Sequence, residues 1–326
     1  LCRVGAGPHA GGEVRALALV GLAALAAAGA ASAQEPPAEA VLAELPFLEA
    51  GPNQIRVDLG PPGGRGLPLL LDTGALQSFA TVGGARALGI PLRRNKQTPY
   101  RRETRLGRDL ELLVDTRRGD TGAARGGDYA LAGAPFLSRY VVEIDFPARR
   151  VRFLDPERYE VPAVDPPAAV LAMRAGTLQP IVEIEVGAVR LPAILGTGAP
   201  GTLILPGGWA DDPAAAVAID SEQTAKLELP PGSGPMQAAR AARVALAAFE
   251  EGGVPLLVAP QGVWGQGSRS EALLGVDFLK RFVLRIDYPR RRLWIRDGGT
   301  SPAAAPPPVS APPPPGGTPS VARGVG

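Results

Sequence analysis

The sequence predicts an all-β protein made of two similar halves, and three observations predict it. Short stretches alternate apolar and polar residues at the strand period, as in Gln54-Ile55-Arg56-Val57-Asp58-Leu59 and Ile181-Val182-Glu183-Ile184-Glu185-Val186. An apolar run entering a tight turn, Leu67-Pro68-Leu69-Leu70-Leu71-Asp72-Thr73-Gly74-Ala75, returns as Leu191-Pro192-Ala193-Ile194-Leu195-Gly196-Thr197-Gly198-Ala199, with six of nine positions the same. Further on, Phe136 through Asp155 aligns without a gap to Phe278 through Asp297, and ten of those twenty positions are identical. The two turns differ at one chemically decisive place. Asp72 in the first is Gly196 in the second.

At 326 residues the chain is long enough for two domains, each with its own core. A formal net charge of +2 leaves no footprint for nucleic acid. Arg15 precedes an apolar run from Ala16 to Ala30, and Ala31-Ser32-Ala33 fits the small-x-small cleavage pattern. Residues 1–33 therefore read as a secretory signal, with a mature chain beginning at Gln34 and exported to the periplasm or beyond. The run is short and Ala-rich, so no stable membrane span is expected from it. Cleavage would remove Cys2 and His9, the only Cys and the only His. The mature chain would then be unable to run Ser-His-Asp or Cys-His catalysis, form disulfides, or hold a metal through thiolate or imidazole. No metal and no cofactor are expected. Carboxylates remain.

The elements follow in order. Glu35 to Glu44 is a Pro-containing lead-in, and Gln54 to Leu59 is a half-buried strand. Gly60 to Gly66 is a turn, and Leu67 to Leu71 is apolar throughout, as a fully buried strand would be. Gly84 to Gly89 reads as a short helix ended by Gly. Arg93 to Arg108 is dense in Arg and reads as a solvated hairpin face, and Asp109 to Val114 is another strand. Prolines between 156 and 179 mark a connector. In the second half come Ile181 to Val186, the altered turn, and Leu203 to Leu205. Pro230 to Gly234 suits either the tip of a hairpin over a cleft or an ordinary surface turn. Val254 to Val258 reads as a buried strand, and Asp277 as the N-cap of a helix beginning at Phe278. Residues 298–326 are Pro-, Ala- and Gly-rich and have almost nothing to bury, which predicts a disordered or polyproline-like tail.

An apolar strand ending in Asp72-Thr73-Gly74-Ala75 and followed by Leu131-Ala132-Gly133, with Leu273-Leu274-Gly275 as the second-half counterpart, resembles the pepsin and retropepsin aspartic proteases, above all their bacterial retropepsin-like branch. The resemblance spans Glu44 to Asp297. It implies an all-β, bilobal aspartic-protease-like fold from two tandem repeats, with lobe 1 over 34–160, a connector over 161–178 and lobe 2 over 179–297. It also implies peptide hydrolysis by two carboxylates facing one water, one ionised and taking its proton, the other protonated. Asp72 would be the catalytic residue. Thr73, Gly74, Thr197 and Gly198 would shape the paired turns, and Gly196 would leave the second carboxylate's place vacant.

One positioned acid or base contributes about 10²–10⁴-fold, so losing one of a pair should remove most activity. Three readings stay open. The first is an exported aspartic peptidase working from Asp72, its pair completed by the first lobes of two chains in a homodimer. The second is a catalytically dead pseudoprotease that binds extended peptides in the interlobe cleft as added strands. The third is an unrelated β-rich exported structural protein. A peptide or protein is the partner in the first two.

Overall fold

The computed structural model describes residues 36–48, 54–116, 128–160, 169–173, 178–199, 201–225, 235–260 and 270–298. The expected signal segment, the hairpin tip at 230–234 and the tail beyond 298 lie outside them.

A single 3₁₀ turn at Ala38–Ala40 leads into β1 (Val41–Pro46). The first half then lays down β2 (Arg56–Asp58), β3 (Pro68–Asp72), β4 (Phe79–Ala80), helix α1 (Val82–Ala87), β5 (Gln97–Arg102), β6 (Leu110–Asp115) and β7 (Ala130–Gly133). These strands form one sheet in the order β2-β3-β7-β4-β6-β5. A one-turn helix, α2 (Ala134–Leu137), turns the chain into β8 (Val141–Asp145) and β9 (Arg150–Leu154), followed by the short β10 (Ala169–Val170) and β11 (Ala172–Met173).

The second half supplies β12 (Pro180–Val186), β13 (Val189–Leu195), β14 (Leu203–Pro206), α3 (Gly207–Ala210), β15 (Val217–Ala225), β16 (Met236–Leu246), β17 (Phe249–Ala259) and β18 (Ala272–Leu274). Its sheet runs β11-β12-β13-β18-β14-β17-β16-β15. Helix α4 (Val276–Leu279), β19 (Phe282–Asp287) and β20 (Arg292–Asp297) close the described chain.

The halves thread alike. β7 lies parallel to β3 and antiparallel to β4, and β18 lies parallel to β13 and antiparallel to β14. β4 runs parallel to β6 as β14 does to β17. The long β15 has no counterpart among the described residues of the first half. A third sheet, β1-β9-β8-β19-β20-β10, takes strands from both halves and joins them at β8–β19. The molecule is thus all-β and bilobal, with one core that draws Leu71 and Val142 from one half and Leu195 and Ile286 from the other.

Leu69 to Leu71 of strand β3 form an unbroken apolar run because both faces are covered: Leu69 and Leu71 enter the main core, while Leu70 packs with Tyr129 and Leu131 on the other side. Each leucine buried this way contributes about 1.5–3 kcal/mol. Strand β12 alternates because only one face is covered; Val182, Ile184 and Val186 are buried and Glu183 is exposed.

Four expectations need correction. The lead-in before residue 44 is not a mere leader, since β1 pairs along β9. The connector supplies strands as well: β10 edges the shared sheet and β11 edges the second lobe's sheet. Val254 to Val258 belongs to the eleven-residue β17, where Pro255 is exposed and Leu257 only half-buried, so the segment has one covered face. Asp277 is not a cap. Helix α4 starts at Val276 after Gly275, and Asp277 instead holds Lys280 at 2.7 Å. A side-chain cap stands instead at α1, where Thr81 Oγ1 accepts the Gly84 amide at 3.0 Å. No helix among the described residues is long and apolar enough to cross a membrane.

Candidate active site

Strands β3 and β13 deliver their turns to the same place, one from each lobe. Backbone bonds close both turns alike, from Ala75 N–H to Asp72 O (3.2 Å) and from Ala199 N–H to Gly196 O (3.1 Å). Each turn is braced by the Gly that follows an apolar pair. A Cβ on Gly133 would lie 2.6 Å from Gln77 O, and one on Gly275 would lie 2.3 Å from Gly201 O. Backbone passes too close there for any side chain, which gives the apolar-apolar-Gly pattern its physical reason.

The turns are tied together by their threonines. Thr73 N–H donates to Thr197 Oγ1 at 3.1 Å, and Thr197 N–H donates to Thr73 Oγ1 at 3.1 Å. The hydroxyls carry the bonds onward, Thr197 Oγ1 to Leu71 O at 3.1 Å and Thr73 Oγ1 to Leu195 O. Both threonines are fully buried. Four reciprocal bonds therefore cross the seam in a dry setting, where each unmade bond costs about 1–3 kcal/mol.

Chemical symmetry ends at this point. Asp72 is 2% exposed, and its Oδ1 accepts the Gly74 N–H at 2.9 Å. The same oxygen also accepts the Gly198 N–H, at 3.2 Å, from the opposite turn. Gly198 has no room for a side chain because the carboxylate leans on it; a Cβ would lie 2.4 Å from Asp72 Cγ. Across the seam Gly196 faces Gly74, whose own Cβ position is 3.2 Å from Gly196 Cα. The space where a side chain at 196 would begin is filled by Leu273, with Cδ1 2.5 Å from that Cβ position. An apolar methyl lies against the point from which a second side chain would start.

Sequence reasoning brought Asp72, Thr73, Gly74, Gly196, Thr197 and Gly198 together, and the structure sets all six at one seam. It did not single out three neighbours. Leu273 was visible only as half of an apolar-Gly pattern. Gln179 donates its side-chain amide to Gly74 O, placed by Leu178, whose backbone is left-handed (φ 58°). No periodicity marks a lone Gln after a connector. Tyr288 is buried, and its hydroxyl has no hydrogen-bond partner among the described residues. Burial pushes that hydroxyl far above the ordinary phenol range, and the charge of Asp72 pushes the same way. Two leucines next to these residues in the chain are exposed, Leu76 (56%) just after the Asp72 turn and Leu178 (43%) just before Gln179. No group of three or more His, Cys, Asp or Glu side chains placed to hold a metal occurs among the described residues.

No family model and no curated protein matches the chain. Solved structures similar to it include a retropepsin-like aspartic protease from Rickettsia conorii, 19% identical over 39% of this chain and 88% of that one, with a TM-score of 0.29. Basic 7S globulin from soybean is another, 11% identical over 78% of this chain and 94% of that one, with a TM-score of 0.38. The two Thr-Gly turns of this chain, rather than these likenesses, support the functional reading that follows.

Proposed function

We propose that this protein is a catalytically silent relative of the aspartic peptidases that binds extended peptide segments at the seam between its lobes. The observation that carries the reading is the treatment of the second carboxylate's place. Leu273 Cδ1 crowds the point where its side chain would start, and the Gly198 amide that would serve a second Asp goes to Asp72 instead. A single buried carboxylate lacks the protonated partner that the paired mechanism requires. The turns around it are nevertheless kept, and exposed Leu76 and Leu178 offer apolar contact to side chains of an added strand. Export belongs to the same reading, with the mature protein starting at Gln34; recovery of chains that retain residues 16–33 would count against it.

The test uses purified protein with a displayed peptide library and, separately, casein between pH 3 and 7. Expected are enriched apolar peptides that Leu76→Asp no longer retains, and no cleavage. Acid-optimum cleavage that Asp72→Asn abolishes would make the protein a peptidase and overturn the proposal.

A further inference from the structure

The sheet shared by the lobes carries a second asymmetry, remote from the turns in sequence. Phe136 aligns with Phe278, an offset of 142, so each residue of β8 has a counterpart in β19. The strands pair Val141 with Asp287, Val142 with Ile286, Glu143 with Arg285, Ile144 with Leu284 and Asp145 with Val283. Adding 142 to 141 gives 283, the partner of 145; adding it to 145 gives 287, the partner of 141. Adding it to 143 gives 285, its own partner. The approximate twofold therefore passes between Glu143 and Arg285, the one position where a repeat faces its own copy.

A residue there cannot be charged and unchanged in both halves. Glu143 is 3% exposed and Arg285 5%. Arg285 donates from Nε and Nη2 to Glu143 Oε2 at 2.8 and 2.6 Å, and from Nη1 to Tyr159 Oη at 2.9 Å. The other oxygen, Oε1, accepts from Arg152 Nη1 at 3.1 Å. Burial works against the Arg285 charge, yet Glu143 beside it holds its pKa above the ordinary value. If two copies of the first half met along β8, Glu143 would face Glu143 in the same dry space. Each would keep only its own Arg152, already shared with Glu44, and two buried carboxylates facing each other without Arg285 are strongly unfavourable.

We infer that Glu143 and Arg285 form a pairing key, which lets β8 accept the second half of the repeat and reject another copy of the first. The two halves pair one with the other, and a first lobe cannot recruit the first lobe of a second molecule. The second carboxylate is then not supplied in trans, and the site seen in one chain is the whole site. The inference stands whether or not peptides bind there.

Full-length wild type, Arg285→Met, Arg285→Glu and Arg285→Glu with Glu143→Gln test it by thermal melting and sedimentation equilibrium. Wild type is expected to sediment as a single chain at every loading concentration. Arg285→Met should melt lower for want of a partner, and Arg285→Glu should melt about 10 °C lower again or fail to fold, given several kcal/mol for a broken buried pair. Adding Glu143→Gln should recover part of that second loss, or restore soluble protein, because it removes the like charge across the axis. A role for Arg285 in packing alone gives no such recovery. Equal melting of the Met and Glu variants, no recovery, or a wild-type dimer would each overturn the inference.

Discussion

The turn at Asp72 and the turn at Gly196 are built alike and equipped differently. Backbone closure and the bonds from the threonine amides match to within about a tenth of an ångström, and a bracing glycine stands behind each turn. One carboxylate, two amides and one leucine side chain make the difference. The scaffold of a paired site can therefore persist without the pair, because it is held by bonds that do not involve the carboxylates at all. What the turns hold together is the two lobes.

The comparison is broken most forcefully by restoring what is missing. Gly196→Asp combined with Leu273→Ala, which clears the colliding methyl, should gain acid-optimum casein cleavage of at least about 10²-fold over background. Gly196→Asp alone should gain less, since Leu273 must first move. If the double substitution folds and cleaves nothing between pH 3 and 7, the missing carboxylate is not what silences the site.

Smaller effects sharpen the contrast. Thr197→Val leaves the Thr73 amide and the Leu71 carbonyl unpaired and should cost about 2–4 kcal/mol in urea melts. Thr73→Val should cost the same, because its bonds mirror them; a clear inequality would mean that the seam is not symmetric in energy. Gly198→Ala should cost about 1–3 kcal/mol by driving a methyl into Asp72, and Gly74→Ala distinctly less, its nearest neighbour being 3.2 Å away. Asp72→Gly in the Gly198→Ala chain should recover most of the loss.

The smallest effect is one of pH. Glu44 is held below its ordinary 4.5, first by a hydrogen bond from Arg152 and opposed by partial burial. A depressed folded pKa contributes stability that is fully present above about pH 4.5 and lost as pH falls through the folded value. Glu44→Gln should flatten the acid limb of the melting curve below that pH and leave the neutral limb nearly unchanged.

Much of this was legible in the chain and some could not have been. Repetition of Leu-Pro-x-x-Leu-x-Thr-Gly-Ala disclosed both turns, since a tight turn at a dry seam admits few residues. The matching tails after Phe136 and Phe278 disclosed a second repeat, but not that β8 and β19 pair with each other. Pairing across 142 residues leaves no local pattern. Strand β1 and the connector strands β10 and β11 escaped because edge strands of two to six residues, some with Pro, read like linker. Leu273 crowding Gly196, and Gln179 as clamp on Gly74, depend on three-dimensional approach that no spacing encodes.

The threonine bonds also decide how the molecule can move. Four threonine bonds in a dry seam, the Gln179 clamp and the β8–β19 ladder all run from one lobe to the other. A hinge that swung the lobes apart would have to break them together, which places such an opening near the cost of unfolding the core and far from the cheap end of native fluctuations. The two lobes therefore behave as one stiff block. Anything that reaches Asp72 must do so with those bonds between the lobes still made.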